Sequence, residues 1–427
     1  MDDAVRLLRT LPLDVFETPK PDDAWARCSL ATASDEILIR SVAASIACPK
    51  VQINSSFLLH APLELLARAW LLQYLPAYRR EDARRRIAEI AVRYAAGGLE
   101  IESKPKEYSS VERALLDLSA ALRAGDAEAV DSGFLFLLPR ITANDFRAAF
   151  GEEILPFLGA AAHAPILLMM LPGAAKRFSG ISALLRSPLR ALALGAGQRL
   201  TWMENLAPTR DALPDLFTRL AALPSRIEVS SFAVAPTMLG VERDGYAARV
   251  LTSATNFVRA SEAERVLLRI AALSMLQDDA THAPYGWSHC FTIPQAILSL
   301  ADVASDVIRV VRIAATHVLG FRATLGSALL HPYKPEPRTG DTVLQRDPAE
   351  AAAVAFNAVG EQRRLIRARL IERAAVHADA HLAKYTVACL IAGDRDPEQS
   401  ALYLAAVAYL GAWWDRQEQA STAERTV

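Results

Sequence analysis

The chain has 427 residues, 52% of them hydrophobic, enough to bury a sizeable core as one large domain or a few ordinary ones. Its 47 basic and 48 acidic residues are mixed along the sequence and leave a formal net charge of −1. With no basic patch, that balance gives no field to steer the chain to nucleic acid.

The N-terminus, MDDAVRLLRT, is acidic and then broken by arginines, unlike a secretory signal. A loop is expected at 18–23 (TPKPDD). Helical three- and four-residue spacing of apolar residues follows at 63–75, 80–96 and 109–124, with a loop at 102–108. The stretch ILPFLGAAAHAPILLMMLPGAA (154–175) carries no charge and is long enough to span a bilayer. Three prolines and His163 interrupt it, so it reads as two buried core helices joined at a proline, with no membrane role. LGAGQRL (194–200) has two close glycines but no strand before it, which argues against a dinucleotide site. A loop is expected at 205–213, and RIEVSSFAVA (226–235) is the best strand-like alternation. Helical runs resume at 261–276, 302–319, 348–393 and 400–414, with loops at 278–287 and at 331–347, the latter rich in proline, glycine and charge. No linker composition and no internal repeat appears. The expected fold is all-α: one large helical domain over 1–427, with room for two lobes around a shared core.

Cys28, Cys48, Cys290 and Cys389 lack CxxC spacing and read as buried thiols of a reducing compartment, so the cytoplasm is expected. Nucleophile-elbow, P-loop and HExxH signatures are missing. Chemistry therefore rests on the histidines. His60, His163, His289 and His381 each sit in apolar sequence on a different expected helix. A lone buried histidine is usually a core residue with both nitrogens satisfied. Four on separate helices suit a metal site, because facing helices of all-α proteins build such sites from inward imidazoles and carboxylates. Two of the four lie in His-Ala-Pro, repeated at 282–284, and proline places such a histidine before a helix start or at a kink. His331 reads as a surface-loop residue, His282 as a surface or substrate-side group, and His317 as core or support. His377 is either a partner supporting His381 or solvent-facing.

Lys384 lies one turn after His381, so both project from one helix face. It either snorkels out and pairs with an acid such as Asp379, or sits at the site. A protonated amine has no lone pair for a metal. At a metal it must be neutral, or carbamylated by CO2 into a carboxylate on a long arm.

Four places resemble the questin oxidase-like family: HAP at 60–62, GAAAHAPI at 159–166, WSHCFTIPQAIL at 287–298 and DAHLAKYTVACL at 379–390. The last is similar to the family's acidic-x-H-x-x-K-x-x-x-A-C element. Leu59 stands where the family has asparagine before the first histidine, and Ala164-Pro165 replaces its Gly-x step. The four places span nearly the whole chain, although about 176–260 does not align. The resemblance implies an all-α non-haem iron(II) oxygenase that cleaves C–C bonds or inserts oxygen, in a Baeyer–Villiger-like manner, on an aromatic polyketide or quinone-type secondary metabolite. It implies O2 and a small aromatic molecule as partners. The implied ligands are His60, His163, His289 and His381, with Lys384 as a carbamylated fifth, and His381 and Lys384 doing catalytic work. Tyr285, Trp287 and Phe291 flank His289 and are either walls for a planar substrate or ordinary packing. Two other readings stand beside this one: a zinc-dependent hydrolase or lyase, and a non-catalytic helical protein that binds a hydrophobic ligand.

Overall fold

The computed structural model describes residues 3–17, 20, 22–51, 56–204, 216–222, 226–229, 233–252, 259–338, 343–344 and 347–425. Among these the protein is all-helical, with twenty-one α-helices, two isolated β-bridges and no strand. The strand-like stretch does not form one: 226–229 is irregular, and a helix starts at Val234. The expected loop at 205–213 lies outside the described residues, as do parts of those at 18–23 and 331–347. The described residues form two compact units, Met1–Arg199 with Asp302–Ser305, and Leu200–Ala301 with Asp306–Val427.

In the first unit, the helices Asp35–Ile46 and Ser56–Leu72 pack on Ala77–Ala95, and Ala164–Ala175 packs on Ser56–Leu72. The uncharged 154–175 stretch is not two helices. It forms turns, a tight 3-10 turn at Gly159–Ala162, and one 12-residue helix with Pro165 in its first turn. There the missing N–H costs nothing, since first-turn donors have no helical acceptor. Among the described residues no helix is long and apolar enough to cross a membrane. Asp131 is wholly buried and accepts hydrogen bonds from Arg186 and from Ser103 Oγ (2.5 Å), which ties the irregular 99–110 segment to the helices.

The second unit is built around the Ser288–Leu298 helix, in which every residue is buried. It packs on Ala260–Gln277, Val307–Leu325 and Ala380–Arg395. A helix apolar on all sides belongs in such a place. Its one amide, Gln295, donates from Nε2 to the carbonyl of Ala388 at 2.9 Å. The 348–393 run divides into three helices, Pro348–Asn357, Gly360–Val376 and Ala380–Arg395. The second break, His377–Asp379, sets up the site described below.

Arg322 and Asp278 form an ion pair with both side chains wholly buried. Asp278 also accepts from the backbone of Ser327 and Ala328, and Arg322 donates to carbonyls of Leu220 and Ala328. Removing one partner strands a buried charge. Asp278→Ala should lower unfolding free energy by ~3–5 kcal/mol, while the apolar double variant Asp278→Leu/Arg322→Met should lose clearly less. Urea melts compare the two, and equal losses would mean that the ion pair is not the cause.

His317 is also wholly buried, with its Nδ1 bonded to the Ile313 carbonyl at 3.0 Å. Burial holds its pKa down at about 4. The unfolded chain, with an ordinary histidine, takes up the proton first. Stability from this residue is therefore complete above about pH 6.5 and falls as pH drops toward 4, by ~3 kcal/mol in all. His317→Leu should flatten that part of the acid dependence, measured as the difference between melts at pH 8 and pH 5. An unchanged difference would contradict the assignment.

Candidate metal centre

Each unit places two of the four sequence-selected histidines side by side. In the first, His60 and His163 are both buried, with ring centroids 4.6 Å apart and planes at 63°. Pro62 does not put His60 before a helix start, one of the two placements expected from the sequence: both lie inside Ser56–Leu72. His60 Nδ1 meets the Ser56 carbonyl one turn back, at 2.6 Å. A carbonyl only accepts, so the proton sits on Nδ1 and the lone pair on Nε2. His163 does stand at a helix start, as the residue capping Ala164–Ala175. The turn before it is unusual. Ala160, Ala161 and Ala162 have φ of 52°, 53° and 54°, a left-handed run without a glycine. The buried carboxylate nearest in sequence, Glu64, is held by Arg68 at 2.6 Å, so it is already committed to a cation.

In the second unit, His289 and His381 have centroids 5.0 Å apart and planes at 76°. His289 Nδ1 donates to the Tyr285 carbonyl, one turn back across the join between a π-helical turn (Ala283–Trp287) and the Ser288–Leu298 helix. Burial first, then repulsion from His381 and Lys384, drives its pKa well down. His381 is held at about 4 by burial and by the charge of Lys384, against the opposing pull of Asp379. Both imidazoles are therefore neutral at neutral pH, the form that ligates metals. The i−4 tether of His60 and His289 recurs in His317, which has no histidine neighbour, so the tether alone marks no ligand.

Asp379, the acidic residue that opens the 379–390 element, does more than offer a partner to Lys384. Its Oδ1 accepts from the His381 backbone N–H at 2.7 Å, capping the Ala380–Arg395 helix, and also from His381 Nδ1 at 2.9 Å. Its Oδ2 accepts from the Tyr285 hydroxyl at 3.3 Å. Burial opposes its ionisation, but the hydrogen bonds from His381 outweigh that and keep its carboxyl well below the usual range. One carboxylate thus starts the helix, fixes the His381 tautomer with its lone pair on Nε2, and orients the ring. Asp-x-His at the head of an apolar helical run is the signal that identifies it.

His377 supports this corner and is not solvent-facing. Its Nδ1 accepts from the Asp379 N–H at 3.0 Å and its Nε2 meets Glu418 at 3.1 Å. That hydrogen bond lowers the pKa of Glu418 to about 2, despite burial. Lys384 is only 6% exposed, which removes the reading of a lysine that snorkels to water.

The three aromatic candidates separate. Tyr285 is 47% exposed and meets His381 edge-on at 4.9 Å. Trp287 and Phe291 are wholly buried: the Trp287 indole donates to the Asp279 carbonyl, and Phe291 packs on Tyr385 and Tyr403 at 5.4 and 5.8 Å. Their place is the core, because a helix buried on all sides turns its aromatics into neighbouring helices. Trp414, not singled out from the sequence, lies 6.3 Å from Tyr285 and 4.9 Å from His377. His331 is exposed, and its backbone is tied to the side chain of Gln277. His282 closes a short 3-10 turn.

No protein-family model, curated protein or solved structure matches the chain.

Asp379→Asn keeps a capping oxygen but loses the charge that holds His381. If His381 ligates a metal, affinity should fall about 10- to 100-fold, with helix content preserved, while Tyr285→Phe should change it far less. Competition with a chromophoric chelator reads the affinity. Equal affinity for Asp379→Asn and wild type would remove His381 from the ligand set.

Proposed function

We propose that this chain is a non-haem iron oxygenase acting on an electron-rich aromatic molecule of the phenol, hydroquinone or quinone type, with buried imidazoles as ligands. Supporting it is one observation above all: a buried lysine placed among neutral imidazoles, its charge acting on both His289 and His381. A protonated amine there opposes any metal cation. Carbamylation resolves the conflict. The neutral amine nitrogen bonds to the carbon of CO2, one N–H proton leaves, and the side chain ends in a carboxylate.

The donor set fits such an ion. His60, His289 and His381 each commit Nδ1–H to a carbonyl or carboxylate and keep the Nε2 lone pair. Neutral imidazoles with at most one carboxylate suit iron(II), and also zinc or copper. Bound iron would supply O2 activation for C–C cleavage or for oxygen insertion at the ring. Asp379 stays ionised and holds the His381 proton on Nδ1. Tyr285, half-exposed beside His381, offers a ring face to a planar substrate and its hydroxyl to Asp379. Burial around both histidine pairs keeps bulk water from the lone pairs.

The test is metal content with O2 uptake. Protein purified without added metal should hold one equivalent of iron, lost on His→Ala substitution in either pair and kept in His331→Ala. Phenolic or hydroquinone substrates should drive O2 consumption. Lys384→Ala should lose metal or turnover, with partial rescue by short carboxylates. Lys384→Arg should fail equally, because guanidinium keeps the charge and cannot be carbamylated. Zinc without O2 consumption would move the chain to the hydrolases, two ions per chain would separate the pairs, and a normal Lys384→Arg enzyme would remove the lysine.

A further inference from the structure

The first unit has a surface cavity of about 300 Å³ lined by Ile37, Arg40, Ser41, Ala44, Ser179 and Gly180. None of these belongs to the histidine pairs or their supporting residues. Ile37, Arg40, Ser41 and Ala44 fall at i, i+3, i+4 and i+7 of the Asp35–Ile46 helix, so one helix face forms a wall. The other wall is the turn at Ser179 and Gly180. Gly180, at a φ of 76°, brings no side chain to it, and a Cβ there would meet no atom within 4 Å, so this side stays open.

Every lining residue except Ser41 is exposed. Ile37 is 48% exposed, so its branched side chain offers apolar surface that a ligand can reach, and Ala44 extends that surface two turns along the helix. Among the described residues, the one carboxylate paired with Arg40 is Glu36, at 3.8 Å, with side chains 50% and 55% exposed. A pair so long and so wet is worth little and yields to a better anion. No aspartate or glutamate lines the cavity. Lys176 and Arg177 closely precede Ser179, so the surrounding charge is positive. The lining therefore combines a loosely held cation, a free hydroxyl on Ser179 and an accessible apolar strip.

We propose that this cavity binds a small phosphate monoester, its phosphoryl group on Arg40 and the Ser179 hydroxyl and its organic part against Ile37 and Ala44. The guanidinium fork takes two phosphoryl oxygens at once, which leaves the third for a hydroxyl. With no carboxylate in the lining, the second charge of the ester is not repelled there. A carboxylate brings one charge and two oxygens, and so answers less of this field. The volume is at the small end of ligand pockets, which suits a single ring or a short chain.

Titration of the full chain with phenyl phosphate, followed by phosphorus NMR above pH 7 where the ester carries close to two charges, tests the proposal. Saturable binding is expected with Kd on the order of 1 mM. Arg40→Ala should weaken it about five-fold. Arg40→Glu and Ala44→Glu each put a carboxylate into the cavity and should abolish measurable binding. Glu36→Gln releases Arg40 and should tighten binding about two-fold. All three positions are exposed, so the variants should fold, and circular dichroism checks that they do. Inorganic phosphate supplies the charge without the ring, benzoate the ring with one charge, and benzyl alcohol the ring with none; calorimetry should find each weaker than phenyl phosphate. The proposal is overturned by no saturable binding of phenyl phosphate, by unchanged affinity in either glutamate variant, by affinity that is not raised in Glu36→Gln, or by any of the three control molecules binding as tightly as the ester.

Discussion

Burial of imidazoles is the constraint from which the candidate centre follows. A histidine out of water resists protonation, and His289 and His381 resist it further because Lys384 lies close by. A neutral imidazole has one N–H and one lone pair, and whichever acceptor is nearest decides which nitrogen has which. In this chain the acceptor is a carbonyl one helical turn back for His60 and His289, and a carboxylate two residues back for His381. Each arrangement is local to its own segment. The helix that carries the residue also sets its tautomer, with no further element required.

Asp379 shows how one local choice serves two ends. A capping acid satisfies orphan amide donors at a helix start, which the chain needs wherever a helix begins in the interior. Placing the first-turn histidine within reach of the same carboxylate costs nothing extra and fixes the ring. The cap depends in turn on the break at 377–379. His377 and Glu418 hold that break, and Arg373 binds both Glu418 and Asp415. The ordering of His381 is therefore distributed over three helices, although only one residue touches its Nδ1.

Much of the helix content was legible because apolar spacing is a direct record of which face is buried. The stretches 80–96 and 261–276 differ from the observed Ala77–Ala95 and Ala260–Gln277 by a few residues at most. Breaks were harder to read. The 348–393 run keeps its apolar spacing through 358–359 and 377–379, and spacing says nothing of where a cap interrupts it. Pro62 misled for a related reason: proline disfavours a helix interior but does not forbid it when packing compensates. The burial of the four histidines was legible from their apolar surroundings, whereas which of them stand side by side was not. Aromatic roles were not, since Tyr285 and Phe291 look alike in sequence. They differ only in which side of their helical segments faces solvent.

The left-handed turn before His163 joins two features that the sequence presents separately, GAAAH and LGAGQ. Three alanines at positive φ each cost roughly 1–2 kcal/mol relative to ordinary helix, so the surroundings must over-determine the turn. They do so through a close backbone approach. A side chain on Gly195 would come within 2.9 Å of the Gly159 Cα, whereas one on Gly159 would meet the 191–195 backbone only in ordinary contact at 3.4 Å. Glycine at 195 thus lets these backbones come together, and the Leu158 N–H bonds the Gln198 carbonyl at 2.8 Å. Held at Leu158, the chain has five residues in which to reach His163 and start the next helix. A right-handed turn would point that helix elsewhere. Gly195 of the 194–200 stretch is thus accounted for without a nucleotide: it anchors the turn that aims His163 at His60.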